Sequence, residues 1–189
     1  MRGNKMKTLS QELIALVPPP LHPVGTGTQE KWAKVERKLG TPLPSDYKCL
    51  VDVYGTGRFA DWINLYSPFA AVRSQNMCFV KEDILGLYRE SMNIKPADLP
   101  PFPAFPEPGG LLPWGGDDNG CEFCWATNGS PEEWIVINLD ADYTLEDHRT
   151  LGVGIAELLA GWFSGQIVGD WYPEDVQPTK RRYFIASCG

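Results

Sequence analysis

The sequence predicts a single α+β domain, with a mixed but mostly antiparallel sheet flanked by helices. Apolar residues recur at helical spacing in the first half of the chain, whereas short apolar runs separated by turn signals fill residues 111–139. The 189 residues are 43% hydrophobic and include seven Trp, which is enough to bury one sizeable core. No internal repeat points to a second unit.

Two helices are predicted before residue 40. The first runs from Ser10, a possible N-cap, to Val17, where three prolines end it because a residue before proline avoids the helical region. The second covers Gln29–Leu39, and Gly40 follows as its C-terminal stop. Its apolar stripe contains Trp32, Val35, Glu36 and Leu39.

The next segment alternates between helix and strand. Ser45 is the predicted N-cap of a helix that Gly55 ends, with one face formed by Tyr47, Leu50, Val51 and Tyr54. Aromatic and β-branched residues over 59–69 predict one strand. Helical spacing returns over 79–93 through Ile84, Leu87, Tyr88 and Met92.

The second half begins with a surface excursion and continues as a sheet. Residues 95–110 contain six prolines and are predicted to pack through Phe102 and Phe105. Runs at 111–114, 121–127 and 134–139 predict an antiparallel meander, and 143–150 a further strand. A helix over 153–163 directs Ile155, Leu158, Leu159 and Trp162 inward. No element is predicted in residues 166–189.

The charge is unevenly distributed along the chain. The formal net charge is −7, and from Asp98 to Asp175 fifteen Asp and Glu residues accompany a single basic residue, Arg149. A surface of this kind repels nucleic acid and anionic membranes and attracts basic proteins. The sequence shows no signal peptide and no apolar run of membrane-spanning length, and its five cysteines are irregularly spaced, so we expect a cytoplasmic chain with reduced thiols.

Several motifs resemble catalytic or metal-binding patterns, and each has a simpler structural explanation. Gly55-x-Gly57-x-x-Ala60 follows a helix, whereas a dinucleotide fingerprint follows a strand. Cys121-x-x-Cys124 lacks the second ligand pair of a zinc site. The acidic stretches 117–120 and 140–142 lack the ligand order of a calcium loop. Two histidines leave little for acid–base chemistry, so we expect no cofactor, no metal and no catalytic residue.

The sequence resembles the SUKH superfamily of cell-wall assembly regulators and bacterial immunity proteins. The first half of the resemblance is Trp32-x-x-Val35-Glu36-x-x-Leu39-Gly40-x-x-Leu43-Pro44-x-Asp46-Tyr47, followed by Tyr54-Gly55-x-Gly57. The second half is Leu112-Pro113-Trp114-Gly115, Asp118-Asn119-Gly120-x-x-Phe123-x-Trp125 and Trp134-x-Val136. The resemblance covers roughly residues 29–165 and implies a mixed sheet flanked by helices.

The resemblance also implies a domain organisation and a function. Residues 1–28 are expected to form an N-terminal helix and proline-rich linker, 29–165 the SUKH-like domain and 166–189 a C-terminal extension. Bacterial members commonly bind and neutralise a toxin, often a nuclease, and nuclease toxins tend to be basic. The motif residues are expected to be structural: Trp32, Gly40, Leu43, Pro44, Asp46, Tyr47, Gly55, Gly57, Trp114, Asn119, Gly120, Trp125 and Trp134.

We therefore expect a non-enzymatic immunity protein that binds a basic toxin domain. The expected contacts are Asp117, Asp118, Glu122, Glu132, Glu133, Asp140, Asp142, Glu146 and Asp147. Two alternatives stay open at this point. One is a regulatory scaffold of the cell-wall type, and the other is a small-ligand or hydrolytic site, for which paired carboxylates such as Glu132-Glu133 or Glu146-Asp147 would serve.

Overall fold

The computed structural model describes residues 11–187 as an α+β domain with one sheet. Within these residues the helices are α1 (11–16), α2 (Gln29–Leu39), α3 (Ser45–Tyr54), α4 (Met77–Ile94) and α5 (Ile155–Ser164). The strands are β1 (Gly57–Phe59), β2 (Ile63–Leu65), β3 (Leu111–Gly116), β4 (Glu122–Ala126), β5 (Ile135–Leu139), β6 (Arg149–Thr150) and β7 (Phe184–Ala186).

The seven strands form one sheet in the order β6-β5-β4-β3-β2-β1-β7. Every pairing between these strands is antiparallel, which confirms the predicted fold class and the meander of β3, β4 and β5. Side chains of β4 alternate between the two faces of the sheet. Trp125 packs edge-on against Tyr47 of α3 at 4.9 Å between ring centroids, whereas the neighbouring Cys124 lies on the opposite face.

The helices α2 and α3 agree with their predicted positions, apart from one cap. Gly40 ends α2 in the left-handed conformation, and the Thr28 side chain accepts a hydrogen bond from the backbone of Lys31 at its start. The predicted N-cap role of Ser45 is wrong, because Pro44 occupies that position and Ser45 is the first helical residue. The Ser45 hydroxyl instead donates a hydrogen bond to the carboxylate of Glu132 at 2.9 Å.

The predicted strand over residues 59–69 is wrong in its length. Ala60 and Asp61 both have positive φ angles, of 55° and 54°, so the chain turns sharply and forms the short hairpin of β1 and β2. Glycine, asparagine and aspartate are the residues that such turns favour, and only Asp61 of the two belongs to them. Without a glycine or asparagine beside it, the sequence offers only a weak turn signal at this point.

Helix α4 is confirmed, but its buried face differs by one residue from the predicted one. Ile84, Leu85 and Tyr88 are buried, whereas Leu87 is 57% exposed. Successive helical residues are rotated by about 100°, which places Leu85 on the inner side and Leu87 outside. The loop that follows packs through half-buried Phe102 and buried Phe105, as predicted.

The segments at the two edges of the sheet differ most from the prediction. Only Arg149 and Thr150 of the predicted strand 143–150 are extended, because Asp140 and a positive φ at Tyr143 fold the preceding residues into turns. At the other edge, β7 pairs with β1, although no strand is predicted there. The predicted first helix is present over 11–16, and its predicted cap Ser10 lies outside the described residues.

Candidate protein-binding surface at one end of the sheet

Two acidic turns lie side by side at one end of the sheet. Strands β4 and β5 are antiparallel, with Glu122 opposite Leu139, so the turn before β4 and the loop after β5 are neighbours. We call residues 117–121 the acidic turn and residues 140–148 the acidic loop. Together they hold six of the residues expected as partner contacts, Asp117, Asp118, Asp140, Asp142, Glu146 and Asp147.

The acidic turn is shaped by the carboxylate of Asp117. Its Oδ1 accepts hydrogen bonds from the backbone N–H groups of Asn119 at 2.9 Å and Cys121 at 3.0 Å, and Gly120 supplies a positive φ of 83°. Burial raises the pKa of Asp117, although these two hydrogen bonds oppose the shift. The neighbouring Asp118 is exposed and forms an ion pair with Arg58 of β1.

The acidic loop is held by Asp140 in the same way. Its carboxylate accepts hydrogen bonds from the backbone of Asp142 at 3.1 Å and of Thr144 at 2.6 Å. The Thr144 hydroxyl donates to Asp147 at 3.0 Å. Asp142, Glu146 and Asp147 are exposed, so their charges face solvent. Turn chemistry therefore accounts for the spacing of these carboxylates, and within residues 11–187 no cluster of His, Cys, Asp or Glu is arranged to hold a metal ion.

Two grooves border the acidic loop. The first, of about 320 Å³, lies between the acidic turn, β5 and the segment after α5, and we call it the turn groove. Its walls include Asp117, Cys121, Asn138, Asp140, Asp147 and Trp171. The second, of about 710 Å³, lies between the end of α4 and the acidic loop, and we call it the helix groove. Its walls include Ile94, Lys95, Asp98, Asp142, Leu145 and Glu146.

Glu122 lies beside the acidic turn but does not belong to its exposed charge. The hydroxyl of Tyr66 donates a hydrogen bond to Glu122 Oε2 at 3.2 Å. Burial raises the pKa of Glu122 to about 8, and the hydroxyl of Tyr66 partly opposes that shift. Most of this carboxyl is therefore protonated at pH 7, and we leave it out of the proposed contact surface.

Glu132 and Glu133 lie at the opposite end of β4 and β5. Strands of five residues separate them from the acidic turn by roughly 17 Å. Glu132 accepts hydrogen bonds from the backbone and hydroxyl of Ser45, at 3.1 and 2.9 Å, and Glu133 forms a capping box with Ser130. The structure thus divides the nine expected contacts between two ends of the sheet.

The motif residues lie in the core and in the turns. Trp32, Leu43, Pro44, Tyr47, Trp114, Trp125 and Trp134 are buried. Gly40, Gly55 and Gly120 have positive φ angles, and Asn119 is exposed in the acidic turn. Gly57 lies where β1 pairs with β7, and a Cβ at this position would stand 2.2 Å from the carbonyl oxygen of Ile185. Asp46 accepts a backbone hydrogen bond from α5.

The motifs considered for cofactors and metals adopt ordinary structure. Gly55 ends α3 and Gly57 begins β1, which is the reverse of the strand-to-helix order of a dinucleotide site. Burial raises the pKa of the Cys121 thiol to about 12 and that of the Cys124 thiol well above its ordinary value. Both thiols therefore stay protonated at neutral pH, and neither is a reactive thiolate.

The grooves also contain residues that were not expected as site residues. Asn138 is buried in β5, and Trp171 is buried after α5. Arg149 forms a two-pronged ion pair with Asp170, at 2.9 and 2.8 Å. A polar Asn138 within the otherwise apolar run 135–139 is a signal in the sequence, whereas the approach of residues 170–173 to β5 depends on the tertiary fold.

The family match agrees with this architecture. Residues 29–149, more than half of the chain, match the family model SUKH_6, described as SMI1-KNR4 cell-wall. No curated protein matches the chain. Among the helices of residues 11–187, none combines the length and apolar character needed to cross a membrane. The matched segment begins at the first residue of α2 and includes both acidic segments, and the chain belongs to the SUKH superfamily.

Proposed function

We propose that this chain binds and neutralises a basic protein toxin, most simply a nuclease, through the acidic turn and the acidic loop. One observation carries the proposal: the fold places six carboxylates from these two segments at one end of the sheet. The superfamily includes immunity proteins and cell-wall regulators and is generally non-enzymatic, which supports a protein-binding role.

Among residues 11–187, the cations near this surface leave most of its negative charge available. Arg58 is paired with Asp118, and Arg149 is paired with Asp170. Lys95 lies on the far wall of the helix groove. The exposed Asp142, Glu146 and Asp147 therefore give the acidic loop a negative potential. Such a potential speeds the association of a basic partner. It also repels nucleic acid, the substrate that would compete for a nuclease partner.

The helix groove adds apolar surface to this charge. Ile94 is 67% exposed and Leu145 is 44% exposed, and both lie among its walls. Protein interfaces commonly combine an apolar centre that loses its water with a polar rim that fixes orientation. An apolar side chain of the partner packed here, with basic residues on the rim, would satisfy both requirements.

The test combines growth protection with binding. Immunity genes lie beside the genes of their toxins, so the toxin domain encoded next to this chain is expressed with and without it, and growth is followed. Binding of the purified pair is then measured across a NaCl series. We expect protection by the unaltered chain, an affinity that falls with salt, and an Asp142→Lys/Glu146→Lys variant that binds at least about tenfold more weakly.

A matched control separates local charge from net charge. Glu12→Lys/Glu157→Lys changes the net charge equally at two exposed positions that line neither groove. This variant should protect like the unaltered chain. Equal loss in both variants would contradict the proposed surface. Failure of the chain to protect, together with capture of a cell-wall or housekeeping protein from the host, would favour the regulatory scaffold that the matched description also allows.

A further inference from the structure

Helix α4 presents a row of apolar side chains to solvent. Phe79, Leu87 and Ile94 are 48%, 57% and 67% exposed. Because they are spaced by eight and seven residues, they lie within roughly 80° of one another around the helix axis. We call these three residues the α4 stripe. At a rise of about 1.5 Å per residue, the stripe extends roughly 22 Å along the helix.

Gly86 lies beside the α4 stripe, and packing within the domain does not explain it. Gly86 is exposed in the interior of α4, and a Cβ there would meet no atom of residues 11–187 within 4 Å. Glycine disfavours a helix interior relative to alanine. Its structural advantage is that another backbone can approach it closely. A second helix that crosses α4 at this point would use that advantage.

The α4 stripe continues into the helix groove. Ile94 belongs to both, and Leu145, which is 44% exposed, is another apolar wall of the groove. Among the described residues that line the groove, four are acidic and one is basic: Asp98, Asp142, Glu146, Asp147 and Lys95. One continuous surface is therefore apolar along α4 and acidic at the C-terminal end of that helix.

The charges along the α4 stripe also favour a basic partner. Arg73 lies over the ring of Phe79, at 4.9 Å from its centroid, and forms a two-pronged ion pair with Asp83, at 2.9 and 3.0 Å. Asp83 therefore neutralises this cation. Glu90 is exposed between Leu87 and Ile94 in the sequence and projects from the same side of the helix. It adds a negative charge to the stripe.

A second copy of the chain is less suited to this surface than a basic helix. If two copies of α4 packed together across Gly86, Asp83 and Glu90 of one copy would lie opposite acidic residues of the other. This holds for both parallel and antiparallel packing, because Asp83 and Glu90 lie at nearly equal distances on either side of Gly86. Like charges placed opposite one another disfavour a contact, whereas opposite charges favour it.

We propose that the α4 stripe and the helix groove together bind one amphipathic helix of the partner protein. Its apolar residues, spaced by seven or eight, lie along the α4 stripe, and its basic residues lie over Glu90 and the acidic loop. The two helices cross closely at Gly86. This inference rests on the proposed function, because it assigns a structural element to the basic partner. It extends the contact from the acidic loop along the exposed side of α4.

Methyl signals in ¹H–¹³C spectra of the full chain locate the contact. The probe is the toxin domain encoded beside this chain, and the Leu87 and Ile94 methyl signals should shift when it binds. Leu21 and Ile185 are matched controls, because they are 93% and 45% exposed outside the stripe, and their signals should not move. Leu87 is the decisive residue, since it does not line the helix groove whereas Ile94 does.

Substitutions on α4 test the close crossing. Gly86→Gln places a side chain there without removing a contact within the domain, and it should weaken toxin binding at least about tenfold. Its thermal unfolding midpoint should stay equal or rise, because glutamine favours helix. Ala33→Gln, at an exposed position of α2, is the matched control and should bind like the unaltered chain. Leu87→Ser should weaken binding about tenfold through lost apolar contact.

The outcomes separate this inference from the proposed function. If the Leu87 signal does not move and Gly86→Gln binds normally, while Asp142→Lys/Glu146→Lys still weakens toxin binding, the α4 assignment is overturned and the proposed function stands. If the chain neither binds the toxin domain nor protects against it, both fail. A shift of the Leu87 signal with concentration in the chain alone would overturn the assignment in favour of a second copy.

Discussion

The carboxylate of Asp46, in the first turn of α3, accepts a hydrogen bond from the backbone N–H of Ala156, in the first turn of α5, at 3.2 Å. Gly154 is the N-cap of α5 and has no side chain to fill this role. The other oxygen of Asp46 accepts the N–H of Tyr47 at 2.7 Å. One aspartate therefore serves the starts of two helices that are far apart in sequence.

Replacement of Asp46 should destabilise the domain through this contact. Asparagine retains one acceptor oxygen where the carboxylate provides two, so we expect Asp46→Asn to cost about 1 kcal/mol and Asp46→Ala about 1–2 kcal/mol. Urea unfolding measures both. Asp83→Asn is the surface control, because its ion pair with Arg73 is exposed and should contribute less than about 1 kcal/mol. Equal losses at both positions would contradict the capping role.

The raised pKa of Glu122 predicts a pH-dependent stability. Between about pH 4.5 and pH 8 the folded chain retains a proton on Glu122 that the unfolded chain releases, so the folded state loses stability as pH rises through this window. Glu122→Gln cannot ionise and should remove this contribution. We expect the variant to gain on the order of 4 kcal/mol relative to the unaltered chain between pH 5 and pH 9, measured by urea unfolding at each pH.

Tyr66 provides an internal control for the same window. Its hydrogen bond lowers the pKa of Glu122 and so opposes the effect of burial. Tyr66→Phe should therefore raise the pKa of Glu122 and extend the loss of stability to higher pH. A pH profile that Glu122→Gln leaves unchanged would show that the slope arises from other groups.

Two glycines should respond in opposite ways to alanine. A Cβ at Gly57 would lie 2.2 Å from Ile185 O and 2.5 Å from the Phe184 ring, so Gly57→Ala should displace β7 and cost about 1–3 kcal/mol. A Cβ at Gly86 meets no atom within 4 Å on the exposed side of α4. Gly86→Ala should stabilise by about 0.5–1 kcal/mol, because alanine favours helix. Hydrogen exchange of the β7 amides would confirm the local effect.

The cysteines should differ in their reactivity. Cys49 is exposed, Cys78 and Cys121 are half-buried and Cys124 is buried, and all four are free. In a Cys188→Ser background, an aromatic disulfide reagent at pH 8 should modify Cys49 rapidly and the other three only on unfolding. Burial also raises the pKa of Cys78, which reduces its thiolate fraction. Fewer than four reactive thiols in denaturant would contradict the reduced state.

The helices were predictable because their signals are local. In α2, the stripe and its glycine stop specify both the buried face and the end. The meander was predictable for a similar reason, since Asn119-Gly120 marks its first turn. The hairpin at Ala60 and Asp61 was missed because alanine rarely adopts a positive φ and a single aspartate is a weak turn signal. Strand β7 was missed because three residues paired with a distant strand leave no periodic pattern.

The sequence predicts the acidic composition of the candidate surface better than it predicts which acidic residues lie together. The acidic stretch 98–175 is evident in the sequence, but antiparallel pairing separates Glu132 and Glu133 from the acidic loop. Asn138 and Trp171 line one groove only because residues 170–173 approach β5. Burial, which comes from several segments together, gives Glu122 a protonated form that its residue type alone does not suggest.

The pairing of β7 with β1 has a consequence for synthesis of the chain on the ribosome. Residues 184–186 leave the ribosome later than residues 57–59, which they pair with. At roughly 5–20 residues per second, this delay is about 6–25 s. During that interval the outer edge of β1 has no native partner, and an open strand edge invites pairing with other nascent chains. Strand β1 is only three residues long, so the open edge offers few backbone groups for such pairing until β7 emerges.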